Sequence, residues 1–182
     1  IADLLSNEFV VKQKLNSEQA FERALLMMQA REFISVQDQV IKITGLYGIK
    51  FLSSLIYPFI ESYWVTFCFL ANSMQKFSLS LFNLAFKVQY LADTLYSEGQ
   101  LINYDCCSME AIANALNKLT TLGILTPRNA MFRDEHSKEY WYAEEEDNGK
   151  LKELYERTSF LKPVVAVSQG FLKFEDDVKR IL

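Results

Sequence analysis

The sequence contains a single histidine, His136, and three cysteines among its 182 residues. One imidazole cannot build a zinc cluster, so no metal site is predicted. Cys106 and Cys107 are neighbours in the chain and Cys68 is the third. Because adjacent cysteines rarely pair with each other, a reduced compartment is favoured over a disulfide framework. No cofactor-binding motif is found either.

The chain also has only a small excess of negative over positive charge: its net charge is −4 and its pI is about 5.1. A nucleic-acid binder needs a basic surface that neutralises phosphates, so this class of partner is not expected. Half of the residues are hydrophobic, which excludes general disorder. No signal or transit peptide is visible at the start, and the chain opens inside a helical pattern, as if cut from something longer.

The longest apolar stretch runs over residues 46–71, where Lys50 and Glu61 are the only charges. Its largest apolar side chains recur at helical spacing, which predicts one long buried helix. Pro58 removes a backbone donor and is expected to kink this helix near Ser54. A bilayer span at 51–71 is the alternative, but Glu61 at mid-depth makes it costly.

The segments on the two sides of this helix resemble each other. Residues 2–11 align with 92–101, and residues 17–34 align with 108–125 at an offset one residue longer. We interpret the similarity as an internal repeat of one supersecondary unit. The alternative is that any two amphipathic helices would align this well.

Local signals give the order of elements in both copies. The first copy is predicted to contain a helix capped at Ser17, with Phe21, Ala24, Leu25 and Met28 inward, and then a hairpin. Residues 1–8 are interpreted as the tail of a helix, and VVKQK after it as a short extended segment. The remaining predicted elements are hairpin strands 33–36 and 40–44, a helix over 79–96, a helix capped at Ser108 and ending near 122, strands 124–126 and 139–143, and a last helix over 150–161.

The predicted fold class is mainly α with small β-hairpins, in which two degenerate winged-helix-like units are joined by the long kinked buried helix. Residues 1–45 form the first, N-terminally incomplete unit, and 46–78 the central helix and its connection. Residues 79–143 form the second unit. The acidic run 144–147 is expected to be a solvated linker that opens the C-terminal part, 144–182, which holds the last helix and a tail.

Three stretches carry a family resemblance: LLSNE at 4–8, LIYPFIESYW at 55–64, and the segment from Leu91 to Leu125 that ends in LGIL. They resemble the C-terminal region of the glycerol-3-phosphate acyltransferase family, which is related to the dihydroxyacetone-phosphate acyltransferases. The family pattern Pro-x-x-Glu-x-Tyr is matched here by Pro58, Glu61 and Tyr63. The resemblance covers most of residues 1–143.

The resemblance implies a catalytic signature that this chain lacks. Family members carry His-x-x-x-x-Asp, in which the histidine is the general base on the glycerol hydroxyl that attacks an acyl-CoA thioester. Five residues after His136 stands Trp141, so no catalytic residue is assigned. The chain is therefore expected to be inactive alone, and to serve as the accessory C-terminal module of a glycerol-3-phosphate or dihydroxyacetone-phosphate acyltransferase in phospholipid biosynthesis.

Two other functions stay open. The chain could be a catalytically inactive, acyltransferase-derived structural subunit of a larger membrane-associated assembly. A winged-helix nucleic-acid binder is disfavoured, because the helix that would read a groove carries Lys118 as its single cation. The expected partners are an acyltransferase catalytic domain or a larger assembly, with a membrane surface as a further possibility and no nucleic acid. The resemblance implies an intracellular, membrane-associated protein, in the mitochondrion first, then the endoplasmic reticulum or peroxisome.

The candidate interface or structural residues are Pro58, Glu61, Tyr63 and Trp64. A buried carboxylate is costly unless it is paired. Glu61 is therefore expected either to contact the catalytic domain or a membrane-proximal polar network, or to pair structurally with Lys50, an arginine or a tyrosine hydroxyl. The two neighbouring cysteines are interpreted as small half-buried fillers, with redox or acylation sites as the alternative.

Overall fold

The computed structural model describes residues 4–6, 8, 9, 16–38, 40–72, 78–129, 138–142 and 145–163. Within these residues the protein is mainly helical, with small antiparallel sheets. The elements are α1 (Ser17–Ala30), β1 (Ile34–Gln37), β2 (Val40–Ile43), α2 (Leu46–Asn72), β3 (Ser78–Ser80), α3 (Leu81–Ser97), a 3-10 turn (Tyr104–Cys107), α4 (Met109–Thr121), β4 (Leu125–Asn129), β5 (Lys138–Tyr142) and α5 (Glu145–Leu161).

The chain divides into two compact units. The core unit comprises residues 1–8 and 57–182, and the inserted unit comprises residues 9–56. The boundary at 56 falls inside α2, next to Pro58, where the helix lacks one backbone donor. The kink predicted there and the four-segment division stay predictions of the sequence.

The inserted unit contains α1, the β1–β2 hairpin and the first turns of α2. Asn16 caps α1, accepting a hydrogen bond from the Gln19 amide at 2.7 Å, so the cap lies one residue before the predicted Ser17. The hairpin is present where the sequence predicts it, and it pairs Ile34 with Ile43. In contrast, Phe21 and Ala24 are exposed, so their predicted inward orientation is wrong.

Glycine allows a close approach at the start of α2. The ring of Phe33 lies directly against Gly48, where a β-carbon would overlap it. The Thr44 hydroxyl donates to the Glu32 carbonyl at 2.7 Å and ties the end of the hairpin to the end of α1. The α1-to-hairpin turn and the start of α2 are therefore held together locally.

The core unit is built from the second half of α2 packed with α3 and α4. Residues 60–70 of α2 are all buried, in line with the predicted buried helix. Ser80 caps α3 and Ser108 caps α4. Gly99 and Gly123 follow the two helices with φ of 73° and 75°, the left-handed conformation that ends a helix most readily at glycine.

By length and composition, α2 is the one helix in the described ranges that could cross a membrane. In this structure 61% of its most apolar 18-residue window is buried inside the protein. A core helix of a soluble protein passes the same test, so the finding does not separate the two alternatives.

A three-stranded antiparallel sheet has the order β3–β5–β4. β5 is its central strand, pairing Leu79 with Tyr140 on one side and Leu125 with Tyr142 on the other. The sequence predicts β4 and β5 approximately, but not β3, whose three residues pair with a strand about sixty positions later.

The two ends of the chain differ from their predictions. Described residues 4–6 and 8 form a turn, with the Glu8 amide donating to the Leu5 carbonyl, and are not a helix tail. α5 begins at Glu145, so most of the acidic run belongs to a helix and not to a linker. The predicted extended segment after Phe9, His136 and the tail after 163 lie outside the described residues.

Candidate functional site

Four consecutive residues of α2, Glu61 to Trp64, are buried, and each contacts a different part of the core unit. On a helix, the side chains of successive residues point about 100° apart, so four consecutive residues point to all sides of the helix. This arrangement contains three of the four candidate residues. Pro58, the fourth, lies one turn earlier and is partly exposed.

Glu61 is fully buried and accepts three hydrogen bonds from the loop after α3. Its Oε1 accepts from the Ile102 backbone amide at 2.9 Å, and its Oε2 accepts from the Asn103 backbone amide at 3.0 Å and from Asn103 Nδ2 at 2.8 Å. Backbone amides thus replace the lysine, arginine or tyrosine partner expected from the sequence. Because both oxygens are satisfied, the carboxylate can be buried at a modest cost.

Ser62 fixes the 3-10 turn to α2. Its hydroxyl lies 2.7 Å from the Cys106 carbonyl and 3.0 Å from the Pro58 carbonyl. Gln89 of α3 donates to the Cys107 carbonyl at 2.8 Å, so two helices hold the turn. Sequence reasoning missed Ser62, because a serine inside an apolar helix is also an ordinary helix residue that bonds to its own backbone.

Tyr63 faces the described N-terminal residues. Its hydroxyl and Glu8 Oε1 are both buried and lack a hydrogen-bond partner among the described residues. Burial, and next the negative charge of Glu8, raise the pKa of the Tyr63 hydroxyl well above its usual value near 10. The Tyr63 hydroxyl and the Glu8 carboxylate therefore interact inside the core unit. Glu8 Oε2 accepts from Asn114 Nδ2 of α4 at 3.2 Å.

Trp64 joins α2 to α5. Its indole Nε1 donates to Ser159 Oγ at 2.8 Å, and its ring stacks on Tyr155 with the centroids 6.1 Å apart. Lys162 Nζ lies 4.1 Å from the centroid of the same ring and donates to the Gln100 carbonyl at 2.9 Å. The ammonium group is thus held by a cation–π contact and a carbonyl.

The Lys162 ammonium also interacts electrostatically with the Glu61 carboxylate. Burial lowers the pKa of the Lys162 ammonium, and the Glu61 carboxylate opposes that shift. No motif in the sequence marks Lys162, Ser159 or Asn103 as partners of α2, because they lie forty to a hundred positions away from it.

The three cysteines are free and buried. Burial is the first cause that raises the pKa of the Cys68 thiol and of the Cys107 thiol, each to about 12, and it raises the pKa of Cys106 as well. Thiols of this kind stay protonated at neutral pH and are poor nucleophiles. Cys106 and Cys107 are thus more deeply buried than the predicted half-burial, and their interpretation as fillers stays a prediction.

Residues 61–64 connect α2 to the other elements of the core unit by hydrogen bonds and ring contacts. Their polar groups are buried and mostly hydrogen-bonded, and the described residues contain no group of histidines, cysteines or carboxylates that could hold a metal ion. Whether the four candidate residues also form an interface stays a prediction.

The described residues form a mainly helical fold with small antiparallel sheets. The family model of the glycerol-3-phosphate acyltransferase C-terminal region matches residues 1–128, more than half of the chain. The chain therefore belongs to this family, as the resemblance predicted, and is related to glycerol-3-phosphate acyltransferases. No curated protein sequence matches it.

Proposed function

We propose that this chain is the accessory C-terminal module of a glycerol-3-phosphate or dihydroxyacetone-phosphate acyltransferase, and that it supports acyl transfer from acyl-CoA by packing against the catalytic domain. The family match over residues 1–128 is the observation that carries the proposal. The buried hydrogen bonds of residues 61–64 support it, because they stabilise the core unit against which another domain could pack.

Activity measurements with and without the chain test this proposal. The catalytic domain of the glycerol-3-phosphate acyltransferase from the same organism is assayed for acyl-CoA-dependent acylation of glycerol 3-phosphate, alone and with the chain supplied covalently or in trans. We expect the chain alone to be inactive and the combination to be more active or longer-lived than the domain alone. Equal rate and half-life in both samples would contradict the accessory role.

A catalytically inactive structural subunit is the second candidate. It is consistent with the lack of the His-x-x-x-x-Asp signature in the 182 residues, a lack that the accessory module shares. Purification of the native protein under denaturing conditions separates the two, since an accessory module is expected in a heavier polypeptide that carries the signature. A heavier polypeptide without it, or a mass near 21.1 kDa, would favour the subunit.

The location and the finer architecture belong to the same proposal. We expect association with a membrane, in the mitochondrion before the endoplasmic reticulum or peroxisome, which cell fractionation would test. The repeat is supported by the equal order of elements in α1–β1–β2 and α4–β4–β5. Superposition of the two copies in an experimental structure would test the winged-helix-like similarity, and unrelated helix–hairpin angles would contradict it.

A further inference from the structure

The first described residues, 4–6 and 8, belong to the core unit, although the inserted unit separates them in sequence from the rest of it. We call these residues the N-terminal turn. Leu5 is only 4% exposed and is part of the same apolar core as the second half of α2, α3 and α4. Leu4 packs against that core as well. One side of the N-terminal turn is therefore packed into the interior of the core unit.

Polar side chains from two helices bind the N-terminal turn. On α4, Asn114 Nδ2 donates to Glu8 Oε2 at 3.2 Å. One helical turn later, on the same face of α4, Lys118 Nζ donates to Ser6 Oγ at 3.4 Å. On α2, the hydroxyl of the fully buried Tyr63 interacts with the Glu8 carboxylate. Removal of the N-terminal turn would take these partners away from buried polar groups, which is costly.

A bound N-terminal turn limits the path of any polypeptide that precedes it. Three residues, Ile1 to Asp3, lie before the turn, and they span at most about 11 Å even when fully extended. Residue 1 therefore stays within this distance of Leu4 for as long as the turn is bound. A flexible linker, in contrast, lets two domains move independently, and the effective concentration of one near the other falls as the linker lengthens.

We propose that the N-terminal turn is the attachment point that holds the catalytic domain to the core unit, with Glu8 as a positioning residue. The inference rests on the proposed function, in which the catalytic domain precedes this chain, and adds which contacts fix the position of that domain. Glu8 acts through the backbone of the turn, because its carboxylate ties that backbone to α4. Release of the turn would replace a fixed attachment by a flexible one.

A linker inserted before Ile1 tests the attachment without a change in the core unit. The full-length polypeptide, in which the catalytic domain of the same organism's glycerol-3-phosphate acyltransferase precedes this chain, is compared with a variant that has about twenty Gly and Ser residues at that position. The rate of acyl-CoA-dependent acylation and its half-life are measured for both and for the catalytic domain alone. We expect the linker to remove more than half of the gain that the chain gives. A smaller loss would overturn the inference.

Substitutions at the contact of Glu8 with α4 test the positioning residue in the same full-length polypeptide. Glu8→Ala removes the acceptor, Asn114→Ala removes the donor, and Glu8→Gln keeps an acceptor as the conservative variant. We expect both alanine variants to speed hydrogen exchange of residues 4–8 severalfold and to lower the gain as the linker does, with Glu8→Gln in between. Glu153→Ala removes an exposed carboxylate of α5 and is the control that should change neither measurement. Faster exchange at full gain would show that the contact is structural only.

The outcomes separate this inference from the proposed function. If the full-length polypeptide is more active or longer-lived than the catalytic domain, but keeps this gain with the linker and with both alanine variants, the attachment point is wrong and the accessory role stands. If the full-length polypeptide shows no gain over the catalytic domain, the accessory role itself fails.

Discussion

A carboxylate that accepts backbone amides constrains the chain differently from one that pairs with a lysine. At Glu61 the acceptors hold Ile102 and Asn103, which belong to the loop between α3 and the 3-10 turn. A side-chain partner could change its rotamer, but an amide is fixed by the path of its backbone. Glu61 therefore specifies the course of this loop more than it contributes net stability.

The substitution Glu61→Leu tests this role. It leaves two backbone amides and the Asn103 side chain without their acceptor in a buried place. We expect the free energy of unfolding to fall by about 2–5 kcal/mol, because each unsatisfied donor costs on the order of 1–3 kcal/mol. Urea denaturation measures it, with the exposed Glu156→Gln as control. A loss as small as that of the control would show that the loop has other supports.

The buried thiol of Cys68 gives a prediction about alkaline pH. Its folded pKa of about 12 lies above the ordinary value near 9, so its contribution to stability is fully present below pH 9 and is lost as pH rises toward 12. In that window the stability should fall by up to about 1.4 kcal/mol per pH unit for this group. Denaturation at several pH values should give Cys68→Ala a shallower slope than the parent, and parallel slopes would refute the assignment.

The candidate site was predictable from sequence only in part. Glu61 could be singled out because a carboxylate inside an apolar helix needs a partner, and Pro58 and Tyr63 because they match the family pattern around it. Their partners could not be found, because a backbone amide has no sequence signature and Ser159 lies 95 positions from Trp64. Ser62 was missed because its chemistry resembles that of any helical serine.

At the scale of elements, the helices and strands that could be predicted are those with a clear local sequence pattern. The apolar periodicity predicted α2 and a helix over 79–96 close to α3, and the serine cap at Ser108 predicted the start of α4. β3 was not predicted, because its three residues are too few to show a strand pattern. They form a strand by pairing with β5. Phe21 was placed inward because its spacing is helical, but periodicity does not reveal whether a partner surface is present in the chain.

The start of α2 offers a test of close packing. Gly48→Ala would place a β-carbon against the ring of Phe33, so either the ring or the hairpin must move. We expect hydrogen exchange of the β1–β2 amides to speed up severalfold. Gly149→Ala is the matched control, because a β-carbon there meets open space and the change should stabilise α5 by about 0.5–1 kcal/mol. Unchanged hairpin exchange in Gly48→Ala would mean that the ring relaxes freely.

The attachment of α5 depends on the Trp64 contacts. A double-mutant cycle with Trp64→Phe and Ser159→Ala isolates the indole hydrogen bond, since both variants keep most of the apolar contact. We expect a coupling energy of about 0.5–1.5 kcal/mol in thermal or urea unfolding. The exposed pair of Glu153 and Arg157, treated the same way, should couple by less than about 0.5 kcal/mol. Equal coupling in the two cycles would contradict a structural role for the bond.

At the scale of the whole molecule, the family boundary and the structural boundary do not coincide. The match ends at residue 128, yet Leu151 of α5 is fully buried in the core that α2, α3 and α4 form. β5 also lies beyond the match, although both other strands of its sheet pair with it. β5 and α5 are thus part of the folded core unit rather than an appendage.

This boundary yields a truncation experiment. A chain ending at residue 128 keeps β3 and all of β4 except Asn129, but it loses β5, so both strands lose their partner. It also loses the side chains of α5 that contact Trp64. We expect it to unfold at lower urea concentration or to aggregate through the exposed apolar face. The full chain, which keeps every described element, is the reference. If the 128-residue fragment matched the full chain in urea midpoint and in slope, β5 and α5 would contribute nothing to the stability of the core. The contacts of Trp64 with α5 would then have no structural role.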